Sequence, residues 1–418
     1  MADPVLTRSH VDEALDELLL RRTVPMFYQP VVDLAGGDVV GFEALARPEI
    51  DGIAVPIVQL QNAAARRALL GELDWICRTS AAADPGVARL PASLAWLVNA
   101  EPRAIGAPCP PDLAERLARA DRASTTVVEI TERAIAADLR DLLRGVGLIR
   151  GRGGRIAIDD IGVEPASLAL LPVIGPDLVK LDTSLLQYLT DPLVARISGA
   201  VRAYAERTGA AVLAEGIETA EHLDIAEALG ATHVQGHLLG PPGPLPASLR
   251  EPRVPLPRRE VPPVDDATPF EILATARPTQ RAVKRLLMPI TDSLEMQVQD
   301  RSEPLALLAH FQRPDNFSRG RRARYQELAS RYAFVAALGV GVGTMLPSGV
   351  RGGDILPGDP IRDEWCLVVL GPHFAAALAA RDIGDSGPDG DRRYDYVVTH
   401  DRQLVERVAR AMAARLLP

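Results

Sequence analysis

The chain has 418 residues, of which 47% are hydrophobic and 24% charged, and its formal net charge is −9. This length predicts two or three domains, and the composition is typical of a globular protein. The negative charge argues against broad binding to a nucleic acid polymer or to anionic lipid. The 3 cysteines are scattered and odd in number, which argues against a disulfide framework and fits a reducing cytoplasm.

No targeting segment is predicted at the start of the chain. The first dozen residues are acidic and polar, which is not the pattern of a signal peptide. The longest apolar run, residues 333–345, is rich in glycine and too short to span a bilayer. We therefore expect a cytoplasmic protein with no membrane insertion.

The order of apolar, polar and proline-rich stretches divides the chain into four segments. Residues 1–24 predict a polar lead-in and one helix. Residues 25–245 alternate β-rich runs with Ala/Leu/Arg-rich helical stretches, which predicts βα units and a mainly parallel sheet. Residues 246–264 are rich in proline and charge and predict a linker, and residues 265–418 predict a smaller mixed α/β domain. The first helix is predicted to bury one face, formed by Val11, Leu15, Leu18 and Leu19.

The last segment contains strand candidates at residues 334–342 and 365–371 and a helical run at residues 402–417. The glycines of Gly339–Gly343 lack the spacing of a dinucleotide-binding loop, so we predict a glycine-rich strand there. Three side chains could line a ligand pocket, although core or surface positions are the commoner alternative for such residues. They are Trp365, His373 and His400.

Polar side chains recur at or near the ends of the strand candidates in residues 25–245. Because the carboxyl ends of the strands of a βα barrel converge on one face, we expect these side chains to meet there. They are Glu43, Asn99, Glu129, Asp159, Asp160, Lys180, Asp182, Glu215 and Gln235.

Clustered carboxylates repel one another and are costly to bury unless cations neutralise them. Oxygen ligands without histidine or cysteine favour Mg²⁺ or Mn²⁺ over Zn²⁺, and the adjacent Asp159 and Asp160 could bridge two such ions. Two metal ions suit displacement at phosphorus. Lys180, one of only 2 lysines in the chain, lies between apolar neighbours and must be paired.

Six short motifs in residues 25–245 together resemble a known family, the EAL domain. They are MFYQPVVDLAGGDVVGFEALARP, VVEITE, IAIDDIG, LVKLD, AVLAEGIET and QGHLLGPP. The resemblance implies a modified TIM (β/α)8 barrel that hydrolyses cyclic di-GMP to linear pGpG, with two Mg²⁺ or Mn²⁺ ions and, as is frequent in the family, as a homodimer. The GGD at residues 36–38 is predicted to form a turn between two strands.

The resemblance also implies roles for individual residues, carried over motif by motif. The implied metal ligands are Glu43, Asn99, Glu129, Asp159, Asp160 and Glu215. The implied catalytic and loop-positioning residues are Lys180, at the hydrolytic water, Glu215, and the pair Glu132 and Glu218, which would hold the loop after the DD strand. The implied substrate contacts are Gln29, Arg47, Asp182 and Gln235.

That loop departs from the family pattern. Where the family commonly has DDFGxGxSSL, this chain has DDIGVEPASL. Ile161 replaces the aromatic residue, and Glu164 with Pro165 replaces a flexible Gly-x pair, which predicts altered loop motion because proline restricts the backbone.

Residues 265–418 resemble, more faintly, the DICT domain, a sensory module, which implies an unknown ligand or signal there. Two alternatives to the phosphodiesterase remain open. One is an inactive EAL protein that acts as a cyclic di-GMP receptor or scaffold, which the altered loop would favour. The other is a barrel glycosidase with paired carboxylates, which the Asn, the Lys and the low aromatic content (4%) disfavour.

Overall fold

The structure is a computed structural model, and it describes residues 7–101, 104–120, 125–162, 164–188, 190–299, 303–331, 334–356 and 358–416. The elements of the first part are α1 (Arg8–Arg21), β1 (Met26–Asp33), β2 (Val39–Ala46), β3 (Glu49–Ile50), β4 (Ile53–Ala54), α2 (Ile57–Arg66), α3 (Leu70–Ala82), α4 (Pro85–Ala88), β5 (Ala95–Asn99), α5 (Pro111–Arg119), β6 (Thr126–Thr131), α6 (Glu132–Ala137), α7 (Leu139–Gly151), β7 (Arg155–Ile161), α8 (Pro165–Ile174), β8 (Leu178–Leu181), α9 (Pro192–Thr208), β9 (Ala211–Ala214), α10 (Ala220–Leu229) and β10 (His233–Val234).

The elements of the second part follow a stretch without helix or strand. They are α11 (Pro269–Ala276), β11 (Gln280–Val283), α12 (Lys284–Gln299), β12 (Ala306–Phe311), α13 (Arg319–Arg331), β13 (Phe334–Gly339), β14 (Arg351–Asp354), β15 (Glu364–Leu370), β16 (Ala375–Asp382), β17 (Arg393–Thr399) and α14 (Arg402–Ala413).

Eight strands close into a barrel in the order β1-β10-β9-β8-β7-β6-β5-β2. Strand β1 runs antiparallel to both of its neighbours, and the other strand pairs are parallel. Most residues of the parallel strands are apolar and buried, as sheets covered by helices require, and the polar exceptions lie mainly toward the carboxyl ends of the strands. The predicted modified TIM barrel is confirmed.

The predicted amphipathic helix is α1, which begins after an N-cap at Thr7. It buries Val11, Leu15 and Leu18, while Leu19 is partly buried. The GGD segment lies in a turn between β1 and β2, with Gly37 at φ 70°, a conformation that glycine adopts without steric cost. Both predictions are confirmed.

A bulge interrupts the pairing of β7 with β8. Ile158 pairs with Val179 and Ile161 pairs with Leu181, so β7 carries one extra residue between these pairs. Asp160 lies in this bulge with φ 59°, a left-handed conformation that is uncommon for a residue other than glycine. The bulge turns the two adjacent aspartates of β7 in different directions, and Asp159 is buried while Asp160 is exposed.

The second part is a seven-stranded mixed sheet in the order β11-β17-β16-β15-β12-β13-β14. Helices α11 and α14 pack on one face, and α12 and α13 pack on the other. The predicted mixed α/β domain is confirmed.

The prediction of a glycine-rich strand through Gly343 is wrong. Strand β13 ends at Gly339, and a turn follows in which Gly341 has φ 70°. A Cβ on Gly339 would lie 2.2 Å from the carbonyl oxygen of Phe311, so the close approach of β12 requires glycine there.

Contacts join the two parts. Helix α14 packs on α8 and α7, and Arg410 of α14 donates to the carbonyl oxygens of Pro172 (2.7 Å) and Val173 (2.9 Å). The segment at residues 246–264 forms no helix or strand, yet its Leu256 is buried.

Within the described part of the chain, every helix is too short or too polar to cross a bilayer.

Candidate metal and active site

Lys180 lies at the centre of a cluster of carboxylates inside the barrel. Its side chain is 1% exposed. The side-chain nitrogen lies 2.8 Å from Glu215, 2.9 Å from Glu129, 3.0 Å from Asp159 and 3.6 Å from Glu43. These acids come from separate strands or strand ends, so the closed barrel itself brings them together, as the sequence predicted.

Amide side chains orient Glu43 from two sides. Asn99 donates to Oε1 at 3.1 Å, and Gln235 donates to Oε2 at 2.7 Å. The same Gln235 nitrogen also donates to the Gln29 carbonyl at 3.1 Å, and Gln29 faces Glu43 across the β1–β2 pair. The hydrogen bonds fix the carboxylate in one orientation, because both of its oxygens accept from side chains that the barrel positions.

Three carboxylates at the mouth of the barrel are close enough to share a cation. Oxygen atoms of Asp159, Asp160 and Glu215 all lie within 4.8 Å of one another. Glu129 adds two buried oxygens that receive no hydrogen bond from the described residues, and of these only Oε1 forms an ion pair with Lys180, at 2.9 Å. A single ammonium cannot neutralise five carboxylates, and an oxygen-only donor set suits a hard divalent cation. The residues therefore fit the metal ligands implied by the resemblance.

Burial acts to raise the pKa values of Glu43, Glu129 and Glu215, whereas the positive charge of Lys180 acts to lower them. Burial, followed by repulsion from Glu43, raises the pKa of Glu129 well above its ordinary value. Burial likewise raises the pKa of Glu215 to about 7. Burial also opposes ionisation of Glu43, but Lys180 and the two amides outweigh it, and the pKa of Glu43 is lowered. Carboxylates that are held apart in pKa in this way are typical of functional sites.

The same balance keeps the central lysine charged. Burial acts to lower the pKa of Lys180, but the surrounding carboxylates, Glu129 first, outweigh it and raise the pKa well above its ordinary value. Lys180 is therefore an ammonium at neutral pH in the metal-free protein, which suits a hydrogen-bond donor rather than a base.

Glu132 holds the segment that follows the two aspartates. Its carboxylate accepts from the backbone nitrogens of Glu164 (2.9 Å) and Gly162 (3.5 Å) and from the hydroxyl of Ser167. Glu132 is 2% exposed, so these bonds are sheltered from water. The segment is thus fastened to the start of α6, directly after β6, at the point where α8 begins.

Three predicted site residues lie at the edge of the cluster or outside it. Asp182 caps the turn after β8 through Ser184 and adds to the repulsion that, after burial and Asp159, raises the pKa of Asp160. Arg47 is exposed beyond the end of β2, with its guanidinium 6.0 Å from the centre of the Phe27 ring. Glu218 is also exposed, and its side chain makes no hydrogen bond to residues 162–167 among those described. Among the described residues, the carboxylate that accepts hydrogen bonds from residues 162–167 is that of Glu132, and a role for Glu218 there stays a prediction.

The candidate pocket residues of the second domain do not lie together. Trp365 lines a cavity of about 520 Å³ with Phe311, Met288 and Arg321. His373 and His400 are exposed and lie outside this cavity.

The bulge at Asp160 and the hydroxyl contact of Ser167 with Glu132 are features of the site that sequence reasoning did not identify. The residue letters show two adjacent aspartates and a serine, but neither a register shift nor a positive φ can be read from them.

The protein is of the α/β-barrel class. It has an acidic centre at the mouth of an eight-stranded barrel, and the barrel is joined to a mixed α/β domain. A family model described as the EAL domain matches residues 12–242, which is more than half of the chain. The chain belongs to the EAL domain family. A second model, described as a sensory domain in diguanylate cyclases and two-component systems (DICT), matches residues 270–382, and the sequence-based identification of both modules is confirmed.

Proteins of several bacteria resemble part of this chain. An uncharacterised protein of Azorhizobium caulinodans is 31% identical over 253 residues, which are 56% of this chain and 33% of that protein. A protein of Pseudomonas aeruginosa named cyclic di-GMP phosphodiesterase PA2567 is 31% identical over 228 residues, 52% of this chain and 38% of its own length. The aligned part of the chain thus spans only about a third of these relatives.

The fold comparison agrees with the sequence comparison. The FimX EAL domain of Xanthomonas citri, solved in complex with c-di-GMP, matches with a TM-score of 0.50 and 21% identity. The match covers 57% of this chain and 95% of that domain. It shows that the barrel has the fold of an EAL domain.

Proposed function

We propose that the barrel hydrolyses cyclic di-GMP to linear pGpG with two divalent cations, Mg²⁺ or Mn²⁺, and that the C-terminal domain regulates this activity. The observation that carries the proposal is the meeting of four carboxylates around the buried ammonium of Lys180, with a fifth, Asp160, beside them. The name of the Pseudomonas relative and the EAL family support the same substrate. The homodimer implied by the resemblance stays a prediction.

The donors fit two neighbouring cations with one shared ligand. Glu43, Asn99, Glu129 and Asp159 would hold one ion, and Asp159 would be shared with a second ion. The second ion would also contact Asp160 and Glu215, the acids whose oxygens lie within 4.8 Å of those of Asp159. When bound, such cations lower the pKa of water and stabilise charge on the phosphate oxygens.

The side chains of the chain have separate tasks in this reaction. Lys180 donates a hydrogen bond that orients the attacking water, and Gln235, which donates to Glu43 and also to Gln29, holds Glu43 in its ligand orientation. Water adds to phosphorus, the bond to the 3′ oxygen breaks, and that oxygen takes up a proton. The products are then a 3′ hydroxyl and a 5′ phosphate, as in pGpG. The predicted substrate contacts are Arg47, which is exposed beyond β2, Asp182, Gln29 and Gln235.

The main test is product formation by the purified full chain. We expect linear pGpG to accumulate with Mg²⁺ or Mn²⁺ and to stop forming when a chelator is added, because the acidic centre would lose its cations. Restoring the cation in excess should restore turnover. Turnover that continues at the same rate in chelator would contradict the metal dependence.

The receptor alternative rests on the segment that Glu132 holds. Pro165 occupies the first turn of α8, and Glu164 is fixed by its backbone to Glu132, so the segment is more restricted than a glycine-containing one. Binding of cyclic di-GMP without any pGpG would favour the receptor over the enzyme.

The stabilising effect of Mg²⁺ is expected to grow with pH. The pKa of Glu215 is raised in the folded chain from 4.5 to about 7. Between these values the folded metal-free protein binds more protons than the unfolded chain, so its stability falls as pH rises through this window. Cations compete with those protons.

The corresponding measurement is the rise in Tm on adding Mg²⁺, compared at about pH 6 and about pH 8. The rise should be larger at the higher pH. The Glu215→Gln variant should flatten this dependence, because it cannot ionise. An equal Mg²⁺ effect at both pH values in the parent chain would contradict the assignment of Glu215.

A further inference from the structure

A cavity of about 530 Å³ lies where the barrel, the segment before the second domain and the last helix meet. Helix α7 forms one wall, α14 contributes Arg410 and its C-cap Ala414, and the segment at residues 261–264 closes the cavity between them. Its volume is that of a site for one small molecule. The apolar lining includes Leu143, Val146, Val173, Ile174, Val261 and Pro263.

All charged side chains that line the cavity carry the same sign. They are Arg140, Arg144, Arg150 and Arg410, and no acidic residue is among the lining residues, although the chain has a net charge of −9. A concave surface with charges of one sign concentrates ions of the opposite sign. The charge of the lining therefore selects anions.

Two of these arginines are already occupied. Arg150 lies 2.9 Å from Asp177 and donates to the carbonyl oxygen of Gly175. Arg410 is 8% exposed and bonds to the carbonyl oxygens at the end of α8. Burial lowers the pKa of Arg410, and Glu406 is the acid that most opposes this shift. Arg150 and Arg410 line the cavity, but several of their N–H donors are already bonded to other groups of the protein.

The other two arginines of the lining are free to bind an anionic ligand. Arg140 and Arg144 are four residues apart on α7, and among the described residues neither has a hydrogen bond or an ion pair. Like charges at this spacing lie side by side on the helix surface and repel each other. An anion between the two guanidinium groups would remove that repulsion and form charge-assisted hydrogen bonds with both.

We propose that this cavity is a binding site for a small organic anion, with its carboxylate or phosphate group held by Arg140 and Arg144 and its apolar body against the lining of α7, α8 and residues 261–264. The size and apolar lining of the cavity select an organic molecule over a bare inorganic ion.

The site is separate from the carboxylate cluster. Gly151 and Ile174, which line the cavity, end α7 and α8 and lead into the first residues of β7 and β8. The cluster lies at the opposite, carboxyl ends of those strands. Because Arg410 and Ala414 of α14 also line the cavity, an anion bound there lies beside both domains. The proposal does not depend on the phosphodiesterase activity.

The test uses the full chain in the presence of a chelator, so that no divalent cation draws the probe to the barrel mouth. Benzoate, phenyl phosphate and the neutral benzamide are compared at constant ionic strength by their effect on Tm. We expect at least one of the two anions to raise Tm in a saturable manner and benzamide to leave it unchanged. A response to benzoate alone indicates a carboxylate ligand, a response to phenyl phosphate alone indicates a phosphate ligand, and a response to both supports the site for either group.

The matched variants carry the same change in charge. Arg140→Gln with Arg144→Gln should abolish the anion-dependent shift, and its own Tm without ligand should be no lower than that of the parent, since repulsion is removed. Arg8→Gln with Arg21→Gln, on the exposed side of α1, should keep the shift. The proposal is overturned if neither anion shifts Tm, if benzamide acts equally, or if the α7 variant still responds.

Discussion

Replacing Glu43 with glutamine is expected to lower the rate of cyclic di-GMP hydrolysis by about 100-fold or more. Glutamine keeps the shape of the side chain but removes one negative charge from the cation-binding set. Asn99 and Gln235 now donate to the two carboxylate oxygens at 3.1 and 2.7 Å, and the amide nitrogen of the variant would face one of these two donors without an acceptor between them. The measurement is the turnover of purified variant and parent with saturating Mg²⁺ and substrate.

A matched control is available on α10. Glu221 is exposed in the first turn of that helix, so Glu221→Gln makes the same chemical change away from the cluster and should keep the parental rate. The Glu43→Gln variant should remain folded in a thermal melt, since the substitution removes a buried charge rather than a core contact. A folded Glu43→Gln variant with the parental rate would rule out the proposed catalytic centre.

The convergence of the site residues could be predicted from sequence because it depends on strand ends alone. Once residues 25–245 are assigned as a βα barrel, side chains as distant as Glu43 and Glu215 must meet at one face. Their hydrogen-bond partners follow less directly. The pairing of Gln29 with Gln235 across the seam between β1 and β10 depends on the antiparallel direction of β1, which apolar periodicity does not reveal.

Local backbone features escaped prediction for a different reason. The bulge at Asp160 arises from a register difference between two strands, and the end of β13 at Gly339 arises from the close approach of Phe311. Both are set by neighbours far away in the chain. A sequence window contains the glycine or the aspartate but not the neighbour that gives it its conformation.

The arginine-lined cavity was also beyond sequence reasoning. In a chain whose 46 basic residues include only 2 lysines, arginines on a helix are unremarkable in themselves. Arg140 and Arg144 acquire significance only because α14 and residues 261–264 enclose the surface beside them. The residues that line it come from segments more than 250 positions apart in the chain.

Replacing Lys180 with methionine is expected to destabilise the metal-free protein by about 3–5 kcal/mol near neutral pH. Methionine fills a similar space, but the buried acids Glu43, Glu129 and Asp159 would lose their common counter-ion. The decrease in the free energy of unfolding should be largest at high pH. At low pH Glu129 takes up a proton readily, because burial already raises its pKa well above the ordinary value, and less unpaired negative charge is then left in the cluster. The free energy of unfolding from urea titrations at several pH values measures this difference.

The same substitution at the other lysine, Lys284, serves as a control, because it removes a lysine charge without leaving buried carboxylates unpaired. Lys284 is also shielded, at 12% exposure, but its partner Asp389 is 69% exposed, so breaking that pair leaves no buried charge. Lys284→Met should therefore cost no more than about 1 kcal/mol and show little dependence on pH. Excess Mg²⁺ should recover part of the stability lost in Lys180→Met but none in Lys284→Met, since only the first variant leaves carboxylates that a cation can neutralise. Equal losses in the two variants at every pH would mean that Lys180 is not the counter-ion of the cluster.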